Sequence, residues 1–304
     1  MEHAGYAPTG SLLGLNSYEN RVYQIEVEDG DFKVAKFYRP ERWSRAQILE
    51  EHAFTEELAR AELPVVVPER HGDATLHHHE GFDFAVYPRK GGHPPNLENE
   101  EDLKVLARTI ARIHAVGGAA QFEHRVALSV ERLGEESRSY LLEHQWLPPD
   151  LETAYASITE QLLERMPDLS EHPSLRIHGD CHLGNVLWRD DTPNFVDFDD
   201  TVSGPAIQDL WMLLAGDYEQ RQATMSTIAE AYETFAPFPY GSLKLIEPLR
   251  TLRIMHHSAW IARRWDDPAF PPAFPTFDSG RFWSDHILDL REQLAAMEEP
   301  PLAI

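Results

Sequence analysis

Apolar and polar positions alternate differently in the two parts of the chain. Near the start, Val22, Gln24-Ile25 and Val27 read as a strand, Asp29-Gly30 as a hairpin turn, and residues 32–38 as the returning strand. Residues 74–79 and 82–87 repeat that arrangement, with Gly81 at the turn. Between the two pairs, residues 44–61 take up helical spacing through Ile48, Leu49, His52, Ala53 and Leu58, and Ser44 with Gln47 forms a capping-box pattern at the helix start. Residues 63–68, bounded by Pro64 and Pro68, read as an edge-type strand, and residues 1–14 as a small, polar, mobile lead-in. Beyond residue 93 the helical period dominates. Leu103, Leu106, Ala107, Ile110, Ile113 and His114 share one face of a helix over 98–116, closed by Gly117-Gly118. Further helices are predicted at 130–145, 151–165 and 206–214, then through 221–297 with breaks at 237–239 and 267–275. Strands first and helices later predict an α+β fold. Its small antiparallel lobe with one helix spans 1–87, a hinge spans 88–92, and a larger, mostly helical lobe spans 93–304.

The stretch 175–200 departs from both patterns. Two short apolar runs, Leu175-Arg176-Ile177 and Asn194-Phe195-Val196, each end in an acidic motif, HGDxxxxN and DFDD. A third run, Val186-Leu187-Trp188, lies between them, and turn residues separate all three. The spacing suits phosphoryl transfer. Asp180 supplies a carboxylate to accept a hydroxyl proton, while Asn185 and Asp197 supply the amide and carboxylate oxygens that suit Mg²⁺. Protein kinases carry the related pair HRDxxxxN and Asp-Phe-Gly. Here Gly179 stands in place of the arginine and Asp199 in place of the glycine. A structural hairpin with acidic turns explains one such motif, but not both in this order.

Lys36 lies among apolar strand neighbours in VAKFY, and a buried ammonium needs an anionic partner. ATP phosphates and a helix glutamate are the expected partners. Glu51 shares a helix face with Leu58 and is the favoured glutamate, with Glu50 the alternative. The loop 16–20 sits at the mouth of the first strand pair. It lacks the glycines of a nucleotide loop, so backbone amides or the side chains of Ser17 and Asn20, beside Tyr18, are its candidate phosphate contacts. Tyr87 leads into the hinge, where backbone groups would meet adenine. His77-His78-His79 alternates faces on a strand and does not converge on one metal ion. His114 reads as a packed histidine. Asp209, in the apolar helix IQDLWMLL, needs donors, for which the backbone amides of the HGD loop are expected. Arg250, Arg253, Arg263 and Arg264 are expected to pair with acids.

Composition narrows the partners. With 51 acidic and 27 basic residues the net charge is −24, which argues against nucleic acid and favours a cationic substrate or simple solubility. The single cysteine, Cys181, excludes an internal disulfide and fits a reducing compartment. No apolar run reaches a membrane-spanning length and the start lacks a signal-peptide pattern, so a cytoplasmic monomer is expected.

HGDCHLGN and VDFDD resemble the aminoglycoside phosphotransferase and choline kinase group of the protein-kinase-like superfamily. LNSYENRVYQ, KFYRPERW, QILEEH, GPAIQDLWMLL, IEPLR and WDDPAFP narrow the resemblance to its bacterial stress-response serine/threonine protein kinases, from about residue 15 to the end. The resemblance implies a bilobal fold and ATP-dependent phosphorylation of a protein serine or threonine. It assigns Asp180 as proton acceptor, Asn185 and Asp197 as Mg²⁺ ligands and Ser17 as a nucleotide-loop contact. A small-molecule kinase of the same fold, acting on an aminoglycoside, choline or homoserine-like alcohol, is the alternative; a nucleotide-binding scaffold without transfer activity is a third reading.

Overall fold

A computed structural model describes the chain except for Asn16 and the side chain of His3. Asn16, grouped above with the loop at 17–20, therefore lies outside the described residues. Five antiparallel strands, β1 (Pro8–Gly14), β2 (Arg21–Val27), β3 (Phe32–Phe37), β4 (His77–His79) and β5 (Phe82–Pro88), form one sheet in the order β1-β2-β3-β5-β4. Lys36 sits in the middle of it, opposite Val22 on β2 and Ala85 on β5. Helix α1 (Arg45–Arg60) follows β3, and its capping box between Ser44 and Gln47 is fully formed.

Two expectations about this region fail. Residues 8–14 form a strand, β1, instead of a mobile lead-in. Its residues stay largely exposed and it is held by backbone pairing to β2, so no apolar face announced it. Residues 63–68 form no strand. Val65 makes a single parallel bridge to Phe195, in which Val66 donates to the Phe195 carbonyl and Phe195 to that of Pro64; the prolines at 64 and 68 lack the donors that would extend it.

Helix α2 (Glu100–Gly117) is followed by a π-helical turn at Glu131–Glu135, α3 (Glu136–Glu143) and α4 (Pro149–Glu164). Strand β6 (Leu175–Ile177) then pairs with β9 (Val202–Gly204), and β7 (Val186–Arg189) with β8 (Thr192–Phe195) as a hairpin. Strand β9 is three residues long, too short to show a period. Helices α5 (Ile207–Trp211), α6 (Tyr218–Tyr232), α7 (Ile246–Ala262), α8 (Phe270–Ala273) and α9 (Gly280–Glu298) complete the chain. Among the described residues no helix is long and apolar enough to cross a membrane.

The chain divides into two compact units. One comprises Met1–Val126 with Leu175–Phe238 and contains the sheet, α1, α2, α5, α6 and strands β6–β9. The other comprises Ala127–Ser174 with Pro239–Ile304; its core gathers Tyr155, Leu162, Met255, Phe270, Phe277 and Trp283. In the first unit α1 packs on the segment after β8, where the fully buried Phe54 meets Phe198 edge-on at 6.2 Å and Phe122 at 5.6 Å. Phe54→Ala should therefore cost about 3–5 kcal/mol, read by urea unfolding. A loss below about 1 kcal/mol would show that α1 does not depend on this contact.

Candidate active site

The loop after β6 is fixed from beneath. The buried Asp209 carboxylate accepts the His178 N–H at Oδ2 and the Gly179 N–H at Oδ1, each at 2.8 Å. The donors expected for Asp209 are thus the ones found. His114 adds a contact to Asp209 Oδ2 at 3.0 Å and reaches Tyr232 Oη with its other ring nitrogen at 3.0 Å, so it is packed and hydrogen-bonded at once. Gly179 has φ +85°, and a Cβ there would lie 2.2 Å from the Asp200 carbonyl oxygen, which explains why no side chain stands at this place in the motif.

This clamp presents Asp180, half-buried, at the loop's turn, 3.4 Å from His182 Nε2. The Asn185 amide donates to the Asp180 carbonyl at 2.9 Å. That uses the donor end of the amide, and its oxygen end takes no hydrogen bond among the described residues. Asp197 follows β8 in the left-handed region at φ 59°, an unusual conformation for a non-glycine residue and one that concentrates at functional sites. Asn185 and Asp197 together offer an amide oxygen and a carboxylate. No cluster of three or more His, Cys, Asp or Glu side chains is placed to hold a metal among the described residues. A cation here would have two protein oxygens and take the rest from substrate and water, which is how Mg²⁺ is commonly held.

Lys36 reaches the same place from the sheet. Its ammonium lies 2.8 Å from Asp197 Oδ1 and 2.9 Å from Asp199 Oδ1. Burial works against the charge, but Asp197 and Asp199 outweigh it and hold the lysine well above its usual range. Asp199 is bound in addition by Arg42 and by Asn20 Nδ2 at 3.1 Å. Burial would raise its carboxyl, yet Lys36 and Arg42 hold it well below the ordinary carboxylate range. Arg42 also pairs with Asp200, and Arg125 donates to the backbone carbonyls of Asp199 and Thr201. Glu51 is buried nearby with Oε2 lacking any hydrogen bond; burial pushes it up to about 7 against the pull of Lys36. The direct ion pairs of Lys36 are therefore with the aspartates. Glu50, the alternative, accepts the backbone N–H groups of Glu123, His124 and Arg125.

The remaining expected residues separate. Ser17 Oγ accepts the Asn20 N–H at 3.4 Å, and Tyr18 is exposed. Asn20 anchors this loop, its amide donating to Asp199 and accepting the Arg39 N–H. The Tyr87 hydroxyl lies 3.0 Å from that of Tyr38, which meets His52 Nε2 at 2.8 Å. In the second unit Arg250 pairs with Glu247, as expected, whereas Arg263 and Arg264 donate to the Glu136 and Trp260 carbonyls. Sequence reasoning missed Arg42 and Arg125, and it recorded Asp199 only as a departure from the glycine of the kinase motif.

Comparison with known proteins shows the family. Residues 11–246 match the profile described as the phosphotransferase enzyme family. The chain belongs to this family. The phosphotransferase is 42% identical over 306 residues to stress response kinase A of Escherichia coli strain K12, spanning 100% of this chain and 93% of that one. It is 41% identical over 302 residues to the serine/threonine protein kinase RdoA of Salmonella typhimurium, covering 99% and 92% of the two chains. Among solved structures, amicoumacin kinase hAmiN in complex with AMP-PNP, Ca²⁺ and Ami aligns with a TM-score of 0.75 at 18% identity over 98% of this chain and 91% of that one. The microcompartment-associated aminopropanol kinase aligns with a TM-score of 0.67 at 17% identity, over 95% and 97%. These likenesses show the fold, the α+β fold expected from the sequence.

His52 of the phosphotransferase carries a pH signature. Burial lowers the His52 imidazole from 6.5 to about 3, so the folded state holds it neutral. Its contribution is fully present above pH 6.5 and drains away as pH falls toward about 3. Over that window His52 should account for about 1.4 kcal/mol of lost stability per pH unit. Urea unfolding at stepped pH should give a shallower acid slope for His52→Gln; equal slopes would show that His52 does not titrate in this way.

Proposed function

We propose that this phosphotransferase is an ATP-dependent serine/threonine protein kinase of the bacterial stress response, acting in the cytoplasm as a monomer. The observation that carries the transfer chemistry is the convergence of Lys36, from the sheet, on Asp197, from the loop after β8, at 2.8 Å. The relatives' names, over nearly the whole of both chains, carry the choice of protein acceptor.

In this reading residues 1–87 form the nucleotide lobe, the hinge 88–92 beyond Tyr87 offers backbone groups to adenine, and 93–304 carry the catalytic loop and the acceptor site. Lys36 holds the α- and β-phosphates of ATP, and the loop with Ser17 and Tyr18 covers them. Asp180 orients the acceptor hydroxyl and takes its proton as the new oxygen–phosphorus bond forms; the bond from the γ-phosphorus to the bridging oxygen breaks and ADP leaves. Asn185 and Asp197 would hold Mg²⁺, which would supply charge to offset that of the phosphates. Catalysis is then mostly positioning and charge stabilisation. A second reading, transfer to a small molecule, is favoured by the solved neighbours, which include kinases of amicoumacin and aminopropanol by their titles.

The test is incubation with γ-labelled ATP and Mg²⁺, with and without a generic basic protein, beside Asp180→Ala. Label on protein serine or threonine that falls by roughly 10²–10⁴-fold in the variant, with ATP affinity retained, is the expected result. Normal turnover by the variant would remove Asp180 from its role. ATP binding with label on added amino alcohols or sugars, and none on protein, would transfer the assignment to the small-molecule reading.

A further inference from the structure

Lys36 has two carboxylates in direct contact, and the two are not equivalent. The Asp197 side chain is 50% exposed and that of Asp199 is 4% exposed. Asp197 is also the residue whose oxygen is wanted by a cation. A carboxylate drawn toward a divalent ion gives less of its charge to a neighbouring ammonium. Lys36, with 8% of its side chain exposed, would then lack a full counter-ion, and burying an unpaired ammonium is costly.

Asp199 is built to stay. Arg42 pairs with its Oδ2 through one guanidinium nitrogen and with Asp200 through another. Asn20 donates to Asp199 Oδ2, and Arg125 holds the Asp199 backbone carbonyl. These contacts leave Oδ1 aimed at Lys36, 2.9 Å away. Asp199 Oδ1 and Glu51 Oε2 both lack a hydrogen bond, but Asp199 is ion-paired to Lys36, whereas no direct ion pair joins Glu51 to Lys36 among the described contacts. Glu50 is committed to the backbone at 123–125.

We propose that Asp199 is the positioning residue for Lys36: the fixed counter-ion that keeps the ammonium aimed at the nucleotide when Asp197 turns to its cation. The acid at the place of the kinase glycine thereby takes over the part assigned elsewhere to a helix glutamate, and Arg42 is its clamp. The inference rests on the reading of Lys36 as the residue that holds the phosphates of ATP.

The test compares ATP affinity and steady-state kinetics of Asp199→Asn, Glu51→Gln, Lys36→Met and the double variant Lys36→Met/Asp199→Asn. Asp199→Asn should weaken ATP binding roughly 10- to 100-fold, the range for losing a charged hydrogen-bond partner, and Glu51→Gln should weaken it less. In the Lys36→Met background Asp199→Asn should add nothing, because its effect passes through the lysine; a merely structural role would persist there. A full additional loss in the double variant, or a larger effect of Glu51→Gln, overturns the proposal while leaving the role of Lys36 intact. Unchanged ATP affinity in Lys36→Met overturns that role, and the proposal with it. Should Asp199→Asn fail to fold, Arg42→Gln leaves the carboxylate but removes its clamp. It should raise the KM for ATP more than it lowers kcat, and only while Lys36 is present; the same rise without Lys36 counts against the proposal.

Discussion

The fold around the site depends on one buried charge. Lys36 lies inside the five-stranded sheet, and its ammonium is balanced by carboxylates 161 and 163 residues later in the chain. Isolated, that ammonium would make the strand untenable; paired, it commits two distant segments to one position. Much of the first unit serves that commitment. Helix α1 lays Phe54 against Phe198, the residue between the two aspartates. Arg42, just ahead of α1, ties down Asp199 and Asp200, and Arg125 ties down the backbone that follows. The cations hold a loop whose residues would otherwise repel one another.

The loop after β6 is held by a different means. Asp209 uses both carboxylate oxygens on consecutive backbone amides, and the Asp180 carbonyl adds a contact by accepting from the Asn185 amide. Gln208 donates to the Gly179 carbonyl from the same helix. Asp180 follows this anchored turn, with its carboxylate 3.4 Å from His182 Nε2. The two devices meet at Gly179, whose missing Cβ lets the loop approach the Asp200 carbonyl. The segments that carry Asp180 and Asp197 are thus set by separate clamps that share one contact.

What the sequence makes legible follows from how each feature is encoded. Strands β2, β3 and β5 and helix α1 have an apolar face and a period, and all were readable. Strand β1 is held by backbone pairing on an exposed edge, which leaves no mark in side-chain pattern. Strand β9 is too short for one. Asp180, Asn185 and Asp197 stand at a spacing that chemistry dictates, so the motif reveals them. Arg42 and Arg125 act on residues more than 70 positions away, and nothing local to either signals the partner. Asp199 was visible as an anomaly, but only its surroundings give it a purpose.

The charge balance completes the picture. Among the described residues the buried side chains of basic and acidic type are Lys36, Arg125 and Arg176 beside Glu51, Asp199 and Asp209, three of each. The interior is therefore near neutral, and the excess of 51 acids over 27 bases, −24, lies outside it. A surface of that sign raises the local concentration of cations and repels free nucleotide at long range. ATP enters such a field most easily with its charge already reduced by a divalent ion. The same field attracts cationic groups and repels nucleic acid, so acidity and phosphoryl transfer are compatible in one chain.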